Sequence, residues 1–301
     1  MIIIPINTDA PIYHWPWMTL VLIVANCVSF YVTSFGAEPT GWILQFGHGL
    51  QPIEWVAYNF FHFGWMHLIG NMIFLWGFGI IVEGKIGWWR FLLVYLLIGV
   101  LGGLLIQTVM LRHDNPLNPG GGGASLVIYG LLAMCVVWAP RNELDLLIFA
   151  PTFMSFRVIT YEVTILTYGF WYVAMQLVCA WWNGFSMGGE AGHLIGAVWG
   201  FGIALMLLKL RWVDCENWDL LAVWNGTYGK PVGFRDWVDE LQVTHPPGKY
   251  GDDETTPIKA QKKRTVFRPS IYLSDEPKRR KRKTGGSPPT TDDDLGTPPT
   301  K

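Results

Sequence analysis

Four polar side chains lie where apolar stretches of this sequence begin. Ser125 follows four glycines and an alanine in GGGGASLVIYG, and His193 lies in GGEAGHLIG. His67 and Asn71 lie one helical turn apart in HLIGN. A serine hydroxyl becomes a nucleophile when a histidine takes its proton. Amide or imidazole donors stabilise the oxyanion of a tetrahedral intermediate. These residue types therefore suit acyl transfer, provided that the fold brings them together.

The composition indicates a membrane protein with a polar tail. The chain has 301 residues, of which 51% are hydrophobic and only 15% are charged, and this is too apolar for an ordinary soluble domain. Only five of its 22 Lys and Arg residues precede residue 209. The four cysteines are scattered and predict neither a disulfide framework nor a metal site, and we expect no cofactor. We see no removable signal peptide at the N-terminus.

Six apolar segments predict an all-α polytopic membrane protein with a six-helix bundle. In chain order they are residues 17–35, 65–82, 88–110, 125–138, 163–182 and 191–208. The fourth segment is short and follows a glycine-rich loop, so we expect protein rather than lipid around it, because lipid cannot satisfy loop amides. The aromatic-rich connection 36–64 predicts an in-plane interfacial element, with an irregular loop as the alternative.

The distribution of basic residues predicts the topology. The second and fourth connections carry Lys85, Arg90, Arg141 and Arg157, whereas the connections on the other side carry only Arg112. The positive-inside rule then places both termini in the cytoplasm, and we expect the plasma (inner) membrane. In this topology the second, fourth and sixth helices all start outside. The four polar residues therefore lie at one depth, close to the extracytoplasmic surface.

We divide the chain into a membrane domain (1–212), a juxtamembrane segment (213–243) and a disordered polar tail (244–301). The tail contains KRRKRK, from Lys278 to Lys283. This run predicts either a solvated tail or contact with anionic lipid headgroups. No nucleic-acid partner is expected.

Each polar residue also has a purely structural interpretation. Ser125 has the position of a helix N-cap, His67 and His193 suit interfacial anchors, and Asn71 suits a bond to a neighbouring helix. Glycines spaced by four in the last helix suit close helix packing. The convergence of four such residues at one depth favours a functional site over four separate coincidences.

Three segments resemble the signature segments of the rhomboid intramembrane serine proteases: FFHFGWMHLIGNMIFLWGFG, GGGGASLVIYG and AGHLIGAVWG. The resemblance covers about residues 17–208. It implies a catalytic dyad of Ser125 and His193, with His67, Asn71 and the Ser125 N–H as oxyanion donors. Members cleave membrane-anchored proteins in or beside their transmembrane helix without metal or cofactor, which implies transmembrane substrates. The supporting residues that it implies are His62, Gly123, Tyr129, which would stack on His193, and Gly196, which would let the sixth helix approach the fourth.

One position departs from the family motif G-x-S-G, because Leu126 follows the serine. We expect Leu126 to pack against Gly192 and Gly196 rather than to face the substrate. The departure leaves an alternative open, a catalytically inactive rhomboid-like binder or adaptor of membrane proteins. A transporter would show internal repeats and a midplane site, and the sequence shows neither. Glu190 is the only acidic residue near His193 in the sequence, and we do not expect it to complete a triad.

Overall fold

The computed structural model describes residues 2–35, 41–112, 120–151 and 156–230. The predicted tail, its basic run and the second half of the juxtamembrane segment lie outside the described residues. Within them, six long helices match the six predicted segments to within a few residues. The six long helices are α1 (Trp17–Ser34), α3 (Trp65–Ile86), α4 (Trp88–Val109), α5 (Ser125–Trp138), α6 (Ile165–Trp182) and α7 (Gly189–Lys209). Two short helices are α2 (Glu54–Ala57) and α8 (Leu220–Trp224).

Four of these helices, α1, α3, α4 and α7, are long and apolar enough to cross a bilayer. Their outer faces carry apolar side chains that remain exposed in the part of the chain that the structure describes. Val24 and Val28 on α1 are more than half exposed, and so is Leu93 on α4. Exposed apolar faces of this extent suit lipid rather than water. The chain is thus an integral membrane protein.

The expectation of an all-α fold is wrong in one respect, because the chain also forms a sheet. Strands β1 (Ile2–Thr8), β4 (Glu143–Pro151) and β5 (Phe156–Thr164) pair antiparallel in the order β1-β4-β5. The register pairs Ile4 with Leu147, and Leu147 with Thr160. The segment 156–164 is rich in the β-branched and aromatic residues that favour strands, and the segment 143–151 pairs with it. For residues 143–162 the sequence pattern alone predicts only a connection between helices.

Helix α5 lies at the centre of the bundle. Eleven of its 14 residues are buried, which confirms the prediction that protein surrounds the fourth segment. Helix α7 touches it backbone to backbone, because a Cβ atom at Gly196 would collide with the Leu126 carbonyl oxygen. A Cβ atom at Gly200 would likewise collide with the backbone of Gly130. Glycine therefore permits the close approach of these two helices.

A buried carboxylate of α3 holds the start of α1. Helix α1 follows Pro16 and has no side-chain cap of its own. Glu83, which is fully buried, accepts hydrogen bonds from the Met18 N–H at 2.8 Å and the Thr19 N–H at 2.7 Å. It also accepts one from the Thr19 hydroxyl at 2.7 Å. A negative charge at a helix N-terminus is favourable, so Glu83 acts as the missing cap.

The first connection is tied to both α4 and the glycine loop. Buried Glu54 accepts hydrogen bonds from the Gln45 N–H at 2.9 Å and from the Gln107 side chain of α4 at 2.8 Å. A two-residue ladder pairs β2 (Leu44–Gln45) with β3 (Gly120–Gly121). The connection holds α2 and a 3-10 turn. Its in-plane orientation in the bilayer stays a prediction.

The described part of the juxtamembrane segment packs on the bundle. Val213 and Cys215 are buried and belong to the hydrophobic core. Asp219 caps α8, because its carboxylate accepts a hydrogen bond from the Ala222 N–H at 2.9 Å. These contacts place the chain as far as residue 230 with the helices rather than in a free tail.

Candidate active site

Three of the four predicted polar residues meet at two adjoining cavities. Ser125, His67 and His193 line both of them. The first cavity, of about 320 Å³, lies under the glycine loop and the first connection, and Leu126 also lines it. The second, of about 260 Å³, lies between α3, α5 and α6 and includes Asn71 in its wall. Residues from three helices thus converge as the topology argument requires.

Ser125 does not cap its helix. It is the first residue of α5, whereas Ala124 occupies the cap position with helical dihedral angles and no side-chain cap bond. The interpretation of Ser125 as an N-cap is therefore wrong. The Ser125 N–H belongs to the first turn of α5, where amides have no intrahelical acceptor. The hydroxyl and the backbone N–H of Ser125 thus both lie at the N-terminus of α5.

The glycine loop brings its backbone against the predicted oxyanion donors. Gly123 is buried, has φ of +127° and donates its N–H to the Tyr58 carbonyl at 2.8 Å. A Cβ atom at Gly123 would lie 2.8 Å from Nε2 of His67 and 3.6 Å from Nδ2 of Asn71. Both the dihedral angle and the contact exclude a side chain at this position.

The hydrogen bonds of His67 and Asn71 leave donors directed at this loop. The Phe63 N–H donates to Nδ1 of His67 at 3.4 Å, so in the neutral ring the proton lies on Nε2, the nitrogen close to Gly123. Nδ2 of Asn71 is buried and has no acceptor among the described residues. Buried donors are normally satisfied. An unsatisfied one here suits an oxygen whose charge develops only during reaction.

His62 packs against the ring of His67. Its ring packs edge-on against His67, with centroids 5.0 Å apart and planes at 62°. Burial, together with the nearby His67, lowers the pKa of His62 to about 4. His62 is therefore neutral at physiological pH and adds no positive charge beside His67.

His193 is held by two neighbours. The Tyr129 ring stacks on it at 4.3 Å between centroids, with the planes 8° apart. Nδ1 of His193 lies 2.9 Å from Oε1 of Gln176 on α6. Glu190 plays no comparable part, because its carboxylate accepts a hydrogen bond from Asn183 at 3.1 Å.

Gln176 is the site residue that sequence analysis missed. It stands in the apolar run YVAMQLVCAWW, and a strongly polar side chain within a membrane helix is a functional candidate by default. The same rule selected His67, Asn71 and His193. Applied to the fifth segment, it would have selected Gln176 too.

Leu126 is buried against a glycine, but not against the glycines that we expected. A Cβ atom at Gly102 of α4 would lie 2.7 Å from both methyl carbons of Leu126. Gly192 has open space around it, and Gly196 contacts the Leu126 backbone rather than its side chain. At Gly196, α7 approaches the α5 backbone too closely to leave room for the Leu126 side chain. Gly102 supplies the space from the opposite helix.

Comparison with known proteins agrees with this architecture. The family model described as Rhomboid domain matches residues 49–210. Rhomboid-like protein 11, chloroplastic, from Arabidopsis thaliana is 36% identical over 99 residues. That match covers 32% of this chain and 34% of the relative, so it spans about one third of the relative's length. The family model matches more than half of the chain, which places this protein in the rhomboid family.

Proposed function

We propose that this protein is an intramembrane serine endopeptidase that cleaves membrane-anchored proteins in or near their transmembrane helix. Its six long helices would cross the plasma (inner) membrane with both termini in the cytoplasm. The observation that carries the proposal is the shared lining of the two cavities by Ser125, His67 and His193. The amide nitrogen of Asn71, which has no acceptor among the described residues, lies beside them.

The reaction follows from the roles of these groups. His193 takes the proton of Ser125 as the hydroxyl oxygen attacks the scissile carbonyl carbon. The developing oxyanion accepts hydrogen bonds from the Ser125 N–H, from Nε2 of His67 and from the Asn71 amide. The C–N bond then breaks as His193 returns the proton to the leaving amine. A water molecule, activated by His193, hydrolyses the acyl-enzyme and restores Ser125.

The two cavities provide separate routes to Ser125 for the two reactants, water and the transmembrane substrate. The first lies beneath the loops at the extracytoplasmic side of the proposed topology, where water enters. The second lies between α3 and α6 and includes Met66, whose side chain is 82% exposed on the outer face. A transmembrane substrate in the bilayer reaches Ser125 by this lateral route.

Cleavage of single-span reporters by the reconstituted full chain tests the proposal. We expect Ser125→Ala and His193→Ala each to abolish cleavage, and the double variant to be no worse than either, because both residues serve one covalent route. Tm in detergent should stay at the wild-type value in all three. Cleavage that persists in the folded Ser125→Ala variant would refute the proposal.

The second candidate function is a catalytically inactive binder or adaptor, and Leu126 is the observation that favours it. Its side chain replaces the glycine of the family motif and lines the first cavity. We expect Leu126→Gly to lower the free energy of unfolding by about 2–5 kcal/mol through the void that it leaves, and by roughly 1 kcal/mol more through helix propensity. Cleavage should change little. A gain from no cleavage to strong cleavage would instead identify the natural chain as the inactive form.

We also propose that the basic run from Lys278 to Lys283 contacts anionic lipid headgroups. Each basic residue near such a surface contributes about 1 kcal/mol at low salt. Flotation of the isolated 244–301 peptide with phosphatidylserine vesicles tests this, with phosphatidylcholine vesicles as control. Binding that is insensitive to salt would contradict the electrostatic account.

A further inference from the structure

Three side chains from three helices form one connected set around His193. Nδ1 of His193 lies 2.9 Å from Oε1 of Gln176. The amide nitrogen of Gln176 donates to the Tyr129 hydroxyl at 2.7 Å. The Tyr129 ring in turn stacks on the His193 ring. The set links α5, α6 and α7 around the histidine of the proposed dyad.

We infer that Gln176 is a positioning residue that fixes the proton of His193 on Nδ1 and so keeps Nε2 free to act as the base. The inference rests on the proposed function. An amide oxygen only accepts hydrogen bonds, so the nitrogen that faces it carries the proton. The neutral ring has a single N–H, which leaves the lone pair on Nε2.

The Gln176 amide has its nitrogen on the Tyr129 hydroxyl and its oxygen on Nδ1 of His193. The amide group bonds the Tyr129 hydroxyl through one atom and His193 through the other. With the nitrogen on Tyr129, the oxygen is on His193. The reverse orientation would put an N–H against Nδ1 and the ring proton on Nε2, where it would block proton transfer from Ser125. The two orientations therefore predict opposite tautomers, which an experiment distinguishes.

A neutral amide suits this place better than a carboxylate. In serine hydrolases with a triad, a buried carboxylate orients the histidine and selects its tautomer. An isolated carboxylate in an apolar bundle carries a large desolvation cost. Gln176 makes the orienting bond without a charge. The nearest acidic side chain in the sequence, Glu190, is bonded to Asn183 instead.

Nitrogen-15 NMR of the histidine rings in micelles tests the inference without using catalysis. His193 is assigned from its loss in His193→Ala. We expect the wild-type ring to carry its proton on Nδ1, Gln176→Leu to show a mixture of tautomers, and Gln176→Glu, which keeps an acceptor, to remain on Nδ1. Leu177→Ala is the matched control, because Leu177 is the next residue on α6 and half exposed. It should leave the tautomer unchanged.

Cleavage of the single-span reporter provides the second measurement. We expect Gln176→Leu to lower kcat by about 10- to 100-fold with little change in KM. This is less than the about 100- to 10,000-fold that general acid–base catalysis contributes, because the ring is still present. Gln176→Glu should be intermediate. An unchanged tautomer in Gln176→Leu, or a wild-type proton on Nε2, would overturn the inference. If the wild type does not cleave the reporter, only the proposed function is contradicted, because the NMR measurement of the His193 tautomer does not depend on catalysis.

Discussion

The two ends of α3 carry two buried polar side chains with opposite hydrogen-bonding states. Asn71 near the start and Glu83 near the end are twelve residues apart, which is about 18 Å along the helix. Glu83 accepts three hydrogen bonds from the start of α1. Asn71 has a buried amide nitrogen with no acceptor among the described residues.

This contrast distinguishes a group that holds the fold from a group that acts on a reactant. A buried charge is tolerated when hydrogen bonds compensate it in the resting protein, as they do for Glu83. An unpaired donor costs free energy in the resting protein. The cost is recovered only when an acceptor arrives, and Asn71 lies against the glycine loop, where the proposed function places the oxyanion. Substitutions at the two ends should therefore change different quantities.

The largest effect on stability is expected for Glu83→Ala. The substitution leaves two backbone donors and one hydroxyl without their buried acceptor, and it removes the cap of α1. We expect the free energy of unfolding to fall by about 3 kcal/mol or more, with kcat of the folded fraction nearly unchanged. Glu83→Gln, which keeps one acceptor oxygen, should lie between. Unfolding in mixed micelles measures this change. A wild-type unfolding curve for Glu83→Ala would contradict the role of Glu83 in holding the fold.

Asn71→Ala should show the opposite pattern. We expect kcat to fall by about 10- to 1000-fold, the range for one oxyanion donor, while KM and Tm change little. The substitution removes a donor that has no acceptor among the described residues, so the loss of that N–H should cost little stability. A loss confined to KM would identify Asn71 as a substrate-positioning residue. A large loss of stability would identify it as a residue that holds the fold together, as Glu83 does.

The contact between α5 and α7 offers the next prediction, because it sets the distance between Ser125 and His193, the two members of the proposed dyad. In Gly196→Ala the new methyl group collides with the Leu126 carbonyl oxygen. We expect a loss of about 1–3 kcal/mol from overpacking and a lower kcat, since His193 lies one turn away. Gly202→Ala on the same helix is the control, because open space surrounds that position. Equal melting temperatures for the two variants would disprove the backbone contact.

The smallest effect is expected for Glu190→Gln. Its carboxylate bonds Asn183 at the end of α6 rather than His193. Steady-state cleavage should therefore stay within about 2-fold of wild type, because the hydrogen bond that is lost is not made to His193. A loss comparable with that of Gln176→Leu would show that Glu190 acts on His193 after all.

Sequence alone predicted the parts of this molecule that follow from hydrophobic pattern and topology. The six long helices and the meeting of Ser125, His67 and His193 needed only the lengths of apolar runs and the positions of basic residues. The glycines that allow α7 to touch α5 were also recognisable, because a spacing of four places them on one helix face.

The remainder depends on contacts between distant segments. The sheet pairs residues 2–8 with 143–151, and no local pattern shows that partnership. Gly102 on α4 supplies the space for the Leu126 side chain, and no pattern in the sequence favours α4 over α7 for this contact. Gln176 differs from these cases, since its polarity was visible within an apolar run. The sequence alone does not show the rotation of α6 about its axis that directs this side chain toward His193.

Reaction with a serine-directed fluorophosphonate tests the central claim most directly. The reagent captures only a serine that a base has activated, and it needs no knowledge of the substrate. We expect purified full-length protein in detergent to carry one adduct, located on Ser125 by peptide mass spectrometry. The folded His193→Ala variant should carry none. An adduct absent from the folded wild type, or formed equally in His193→Ala, would contradict a Ser125–His193 dyad.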